Sequence, residues 1–502
     1  MSYEDLRYNE VRQTSSHNTF QRFEGIFDQV VYWRIRSLEI DLHRGKPLRD
    51  ALKKDWYVYH LPIIDPDTTV DRLSGFLQIC CGIQRAIPRH EVITVFLDIK
   101  EPFHKTASAS HSAAALDKLL VDALGVDHIY RPGDLLARER GAGSLQEAVA
   151  AGGWPTLKAL RGKFLFVFTG RKDHLTTYAN AGTANSRVAF LSTSVSNAGH
   201  VPGEEHIVFY NMNGKSVRFA KSVREAGLVS RAYYVNGRER WRSAIDHDCH
   251  HIATDHVNTR VDPWSRTRRS TGFPFQALGG HTPAVTEAGE VCGVWARSGD
   301  IWGKRDSFLY HYRDCSAQID NEYTFYISGP NSKVEDWVKG GVVARSSLAR
   351  DSSYFGVFRI GEHHGIRIQY RGAAGGTTIS EEKRLGPGGL FDADTLSYVK
   401  LRISRAGRRA RAWGSVDGDD WTELGFYEFT DPLKYQGIGV SAHGVARGAK
   451  FLFGVPRDLP RPRFNRTRLI GKRDAKGKRD AKDQGWADWD GKRRWRVNRF
   501  AD

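Results

Sequence analysis

The sequence predicts a (β/α)8 barrel of TIM type over residues 1–280, an all-β sandwich of jelly-roll kind over 286–457, and a basic low-complexity tail over 458–502. Three observations carry this. The chain has 502 residues, more than one ordinary core accommodates. Up to about Gly280, β-branched and aromatic runs alternate with helical patterns, as in parallel strands joined by crossover helices. From about Glu290 the pattern changes to short alternating runs broken by Gly, Asp and Asn, with no helical period.

Taken in order, the barrel strands are expected at 9–14, 37–43, 92–100, 164–169, 187–192, 206–212, 229–235 and 251–257. Helical patterns lie at 69–86, 112–124, 214–226 and 237–245. Eight strands in this length fit a closed barrel, whose working end is the C-terminal end of its strands. A doubly wound sheet is the competing topology, which periodicity alone leaves open. Sandwich strands are expected at 322–328, 340–345, 354–359, 366–370, 398–405, 408–415 and 437–441.

Composition narrows the class. Hydrophobic residues make up 40% and charged residues 26%, with mean hydropathy −0.50, as in globular protein. No window approaches the roughly 18 apolar residues of a membrane helix. The first residues lack a basic region followed by an apolar one, so the default expectation is a cytoplasmic protein, with export or a peripheral membrane location as the alternative. Net charge is +17, and from Arg457 onward sixteen basic and seven acidic residues give the tail +9 of it. Its Lys-Arg-Asp-Ala-Lys repeat and closing Trp486, Trp489 and Trp495 suit contact with an anionic membrane, or a solvated appendage; nucleic acid is the less favoured partner. Five cysteines require no bridge. The run His247-Asp248-Cys249-His250-His251 has the wrong spacing for zinc and reads as structural.

The chemistry sits on the first three strands. His17 and Asn18 follow the first strand, where a barrel delivers catalytic groups. On the second, Glu39, Asp41 and His43 alternate with Leu38, Ile40 and Leu42, so a period of two sends the polar side chains to one face. Two carboxylates buried side by side repel unless a cation stands between them. The third strand adds Asp98 and Lys100 on its alternate face, and Trp56-Tyr57-Val58-Tyr59 leads into His60. Asn18, Glu39, Asp41 and Asp98 all offer oxygen, which suits calcium, or magnesium, and disfavours zinc. The two histidines are then free to move protons.

Ser16-His17-Asn18-Thr19-Phe20, Leu38-Glu39-Ile40-Asp41-Leu42-His43, Val58-Tyr59-His60 and Phe96-Leu97-Asp98-Ile99-Lys100 together resemble the phosphatidylinositol-specific phospholipase C X-domain family, in particular its calcium-dependent bacterial members. Gly152-Gly153-Trp154-Pro155, Val229-Ser230-Arg231-Ala232-Tyr233 and Ile252-Ala253-Thr254-Asp255 extend the resemblance to residues 8–258. It implies His17 as a catalytic histidine beside the phosphate, His60 as general acid on the leaving alkoxide, and Asn18, Glu39, Asp41 and Asp98 as calcium ligands. Asp41 stands where metal-independent members carry arginine, and Asp98 stands where a glutamate is usual. The implied reaction cleaves an inositol phospholipid to diacylglycerol and a cyclic inositol phosphate. Lys100 and Arg231 would grip the phosphate; the alternatives are a counter-ion to Asp98 for Lys100 and a strand-end salt bridge for Arg231.

Glycerophosphodiester phosphodiesterases share a barrel, a Glu-x-Asp strand and two histidines, and are the alternative enzyme; a glycan-binding protein with an inactive barrel is the alternative outside enzymes. The segments 340–345, 365–370 and 412–421 resemble the concanavalin A-like jelly rolls appended to bacterial hydrolases, which implies a glycan as candidate partner through Trp413 or Trp421. Tryptophans alternating in strands are more often core.

Overall fold

In the computed structural model of the chain, residues 3–31, 33–45, 55–61, 68–196, 204–257, 262–265, 276–278, 291–296, 299–330, 337–361, 364–382, 397–415, 418, 420–443, 449–454, 466–470, 486–489 and 493–496 are described. They fall into two units, Met1–Glu287 and Ala288–Asp502.

The runs of Val, Ile, Leu and Phe in the first unit form β1 (Val11–Ser16), β2 (Ser37–His43), β4 (Ile93–Ile99), β5 (Phe164–Gly170), β6 (Phe190–Ser194), β7 (Phe209–Asn213), β8 (Val229–Tyr233) and β9 (His251–Thr254). Each pairs in parallel with its neighbour, and β1 meets β2 at Ser15↔Ser37, which closes the ring. The eight-stranded barrel is therefore the architecture, and the doubly wound alternative is excluded. Two short pieces extend the sheet: β3 (Tyr57–Val58) lies antiparallel on β2, and β10 (Gln276–Leu278) lies parallel to β1.

The first strand starts two residues later than the sequence predicts. Residues Tyr8–Glu10 form a 3-10 turn, because Tyr8 is buried and its hydroxyl reaches Thr94 Oγ1 at 2.6 Å and His251 Nε2 at 3.1 Å inside the barrel. That shift keeps Ser15 and Ser16 within the strand, immediately before His17. The helix expected at 112–124 begins at Ala113, with Ser112 as its cap accepting from the Ala115 N–H.

The second unit holds two antiparallel sheets and, among its described residues, no helix. One sheet runs Ile379–Glu382, Ile366–Arg371, Tyr354–Ile360, Lys339–Arg345, Tyr435–Ser441, Phe308–Asp314 and Arg466–Ile470 in spatial order. The other runs Thr422–Glu428, Arg409–Ser415, Ser397–Ser404, Asn321–Ser328, Ala449–Gly454, Val291–Ala296, Trp486–Trp489 and Arg493–Arg496. Residues of both, among them Phe325, Leu401, Val357, Ile438 and Phe451, share one buried core, so the sheets pack face to face.

This arrangement corrects the expectation of a separate tail. Residues Arg466–Ile470 pair with Tyr312–Phe308 and Trp486–Trp489 pair with Trp295–Cys292, so the basic segment supplies an outer strand to one sheet and a hairpin to the other. Charged residues are tolerated there because they sit on edge strands, where charge also discourages pairing with other chains. The remainder of 458–502 lies outside the described residues.

Candidate active site

All seven residues of β2 are buried, and its alternation puts Glu39 and Asp41 inside the barrel. Register does the rest. Asp41 lies directly opposite Asp98 in the β2–β4 pair, and Asn211 lies opposite Arg231 in the β7–β8 pair. His60 follows β3, whose Val58 pairs with Leu42, and its Nδ1 reaches Asp41 Oδ2 at 2.8 Å. His17, Asn18, Glu39, His60, Asp98 and Lys100 all line one cavity of about 380 Å³ at the C-terminal mouth of the barrel, together with Asn211 and Tyr233. Asp41 is 1% exposed beneath it.

His17 is held from behind. Its Nδ1 hydrogen-bonds Asp255 Oδ1 at 2.9 Å, and Asp255 is held in turn by Arg22 Nη1 at 2.9 Å and by the Asn236 amide donating at 2.5 Å. Burial raises the Asp255 pKa, but these partners outweigh it and carry the carboxyl below the usual range. An anionic acceptor at Nδ1 favours the tautomer protonated there, leaving Nε2 as the proton acceptor. That Nε2 lies 3.9 Å from Glu39, and the ring stacks on Tyr233 at 6.3 Å. Asn18 takes the left-handed backbone conformation (φ 44°), which asparagine tolerates better than most residues. In it the Asn18 N–H donates to Glu39 Oε2 at 3.0 Å.

Two cations compensate the three carboxylates. Arg231, 1% exposed, approaches Glu39 at 2.8 Å while its Nη1 donates to Asn211 at 3.1 Å. Burial pushes Glu39 up, but Arg231 and His17 win and bring it down to about 2. Lys100 Nζ stands 2.9 Å from Asp41 and 2.5 Å from Asp98. Burial opposes its charge, yet these carboxylates raise its pKa. Asp41 stays raised, because burial exceeds the help from His60 and Lys100. In this state both alternatives posed by the sequence are occupied: Lys100 is a counter-ion to Asp98 and Asp41, and Arg231 makes a buried salt bridge.

Whether a divalent cation fits is decided by these oxygens. Among the described residues no three carboxylate, imidazole or thiol groups are gathered closely enough to cage an ion as they stand. The donor set is nevertheless hard and anionic, and Asp41 Oδ1 is buried without a hydrogen-bond partner. The ammonium occupying the gap is the end of a flexible side chain that is 24% exposed. The residues fit calcium once Lys100 withdraws.

Sequence reasoning brought His17, Asn18, Glu39, Asp41, His60, Asp98, Lys100 and Arg231 together at one mouth, and the structure gathers all eight. It missed Arg22, Asn236 and the role of Asp255. The only signal available for these was a carboxylate immediately after the last strand.

Residues 24–262 match the family model described as phosphoinositide phospholipase C, Ca2+-dependent. The match bears out the resemblance read from the motifs. The match begins after His17 and Asn18, whose place in the site rests on the geometry above. Solved structures similar to this chain include a calcium-dependent phosphoinositol-specific phospholipase C from Pseudomonas sp., at 22% identity and TM-score 0.45 over 51% of this chain and 92% of that one. A Ca2+-dependent phosphatidylinositol-specific phospholipase C from Streptomyces antibioticus gives 19% and 0.43 over 51% and 96%. A glycerophosphodiester phosphodiesterase from Parabacteroides distasonis gives 11% and 0.29 over 50% and 96%. No curated protein matches.

Proposed function

We propose that the barrel is a calcium-dependent phospholipase C that cleaves phosphatidylinositol-type lipids to diacylglycerol and a cyclic inositol phosphate. The observation that carries this is the convergence of two histidines, His17 backed by Asp255 and His60 by Asp41, on one cavity that is also lined by Glu39, Asp98 and Lys100. His17 Nε2 takes the proton of the inositol 2-hydroxyl as that oxygen attacks phosphorus, and Asp255 stabilises the imidazolium formed. His60, oriented by Asp41, delivers a proton to the departing diacylglycerol oxygen. Asn18, Glu39, Asp41 and Asp98 would hold calcium, which when bound supplies positive charge for the phosphorane-like transition state and acidifies the attacking hydroxyl. Lys100, displaced from its carboxylates, then meets the phosphate oxygens, while Arg231 stays paired with Glu39.

The test is incubation with phosphatidylinositol with and without calcium, followed by analysis for cyclic inositol phosphate. Its formation only with calcium supports the reading. Consumption of glycerophosphocholine, with phosphatidylinositol untouched, would replace it with a glycerophosphodiesterase.

A further inference from the structure

The outward side chains of Ser397–Ser404, Arg409–Ser415 and Thr422–Glu428 make an unusual surface. Val399, Leu401, Ile403, Ala410 and Ala412 point into the sandwich core, so the strand period of two turns Lys400, Arg402, Arg409, Arg411 and Trp413 to solvent. Leu424 is also in the core, and Phe426 turns outward because a β-bulge at Ala412/Trp413 shifts the register and sets it opposite Arg411. Trp413 and Trp421 are not core residues, contrary to the reading their spacing favoured; both are only partly buried, and Phe426 is 51% exposed.

Each aromatic is flanked by cations. Lys400 Nζ lies 4.4 Å from the Trp421 ring centre and 6.0 Å from that of Trp413. The Arg411 guanidinium lies 5.8 Å from Trp413 and 5.7 Å from Phe426, and Arg409 lies 4.6 Å from Phe426. Register places Arg402 directly opposite Arg411, and like charges so paired cost a sheet stability. Glu322, Glu423 and Glu428 relieve part of that charge, while Arg405 and Arg408 in the adjoining turn add to it. The face is net cationic, with aromatic rings set among the charges.

We propose that this face docks the chain onto an anionic phospholipid bilayer. Rings at headgroup level, with guanidinium and ammonium groups beside them, match the aromatic belt and the lipid phosphates of a membrane interface. A half-exposed phenylalanine offers an acyl region apolar surface and offers a hydroxyl-rich glycan no hydrogen bond. Choosing a bilayer over an acidic polysaccharide rests on the lipid substrate proposed for the barrel. The basic segment first suspected of this task is instead engaged in both sheets, so the docking function moves to a different strand face.

The experiment is co-sedimentation of the full chain with phosphatidylcholine vesicles with and without phosphatidylserine, for the natural sequence, Arg402→Glu/Arg411→Glu and Phe426→Ser. Binding should need phosphatidylserine and fade with salt. The double variant should bind at least about tenfold more weakly, because each cation near such a surface contributes appreciably. Phe426→Ser, at an exposed position, guards against a folding defect, and hydrolysis of a water-soluble short-chain substrate should be unchanged in both. Equal vesicle binding by all three proteins overturns the proposal, as does retention on a sulfated polysaccharide with no vesicle binding. A chain that binds these vesicles through this face yet cleaves no inositol lipid supports the docking face and overturns the function assigned to the barrel.

Discussion

Lys100→Met keeps most of the side-chain stem and removes the ammonium that stands between Asp41 and Asp98. Breaking a buried ion pair by removing one partner costs about 3–5 kcal/mol. Lys100 is 24% and Asp98 22% exposed, so solvent screening reduces this to about 2–3 kcal/mol. At about 2–4 °C per kcal/mol for a large domain, the calcium-free variant should melt about 4–12 °C below the natural protein. Calcium, no longer competing with an ammonium, should bind tighter by a similar free energy, or about 30- to 150-fold. It should also restore most of the lost melting temperature. The measurements are thermal melts in chelator and in calcium, and calorimetric calcium titration. A variant that melts like the natural protein in chelator, and binds calcium no tighter, would refute the view that Lys100 holds the place of the ion.

Three further outcomes follow from the same geometry. His60→Ala should lose about 100-fold or more on an inositol lipid but far less on an activated aryl phosphodiester, which needs no acid at its leaving group, whereas His17→Ala should lose on both; steady-state rates on the two substrates decide it. Burial pushes Asp117 up to about 6 despite its bonds to Tyr178 and the Val188 N–H. A raised folded pKa means stability that is full below the unfolded pKa and lost as pH rises through 6, so Asp117→Asn should match the natural protein near pH 4 and exceed it by about 3 kcal/mol above pH 7 in denaturant melts. Truncation after Arg457 removes the partners of Phe308–Tyr312 and Cys292–Trp295 and should lower the melting transition of the second unit by several degrees in calorimetry; an unchanged transition would mean those pairings carry no stability.

What could be read from the sequence depended on the kind of signal each element leaves. β2 was legible to the residue because its polar and apolar side chains alternate and both kinds are buried. β1 was shifted because Tyr8 looks like strand and acts as a plug, its hydroxyl satisfied by residues distant in the chain. The site clustered on cue, since strand ends of a barrel necessarily meet at one mouth. The support of His17 did not show, because Arg22, Asn236 and Asp255 sit in loops or just past a strand, where no periodicity marks them. The edge strand Arg466–Ile470 was hidden by composition: its arginines read as a charged tail, although they alternate with Thr467 and Leu469. The parts of Lys100 and Arg231 could not be settled by sequence because a cation among carboxylates serves as counter-ion or as phosphate grip according to what else is present.

The closure of the barrel has a further implication. β1 and β2 share one ladder position, Ser15↔Ser37, supported by a 2.9 Å bond between their hydroxyls, whereas β2 and β4 are aligned over six. Asn18 and His17 leave one side of that thin seam, and Glu39 and Asp41 rise from the other. Whatever spans them acts as a clasp on the cylinder, so occupancy of the site and cohesion of the barrel become one thermodynamic variable. A ligand bound across Asn18, Glu39 and Asp41 would add to the hold that the single Ser15–Ser37 position gives this seam.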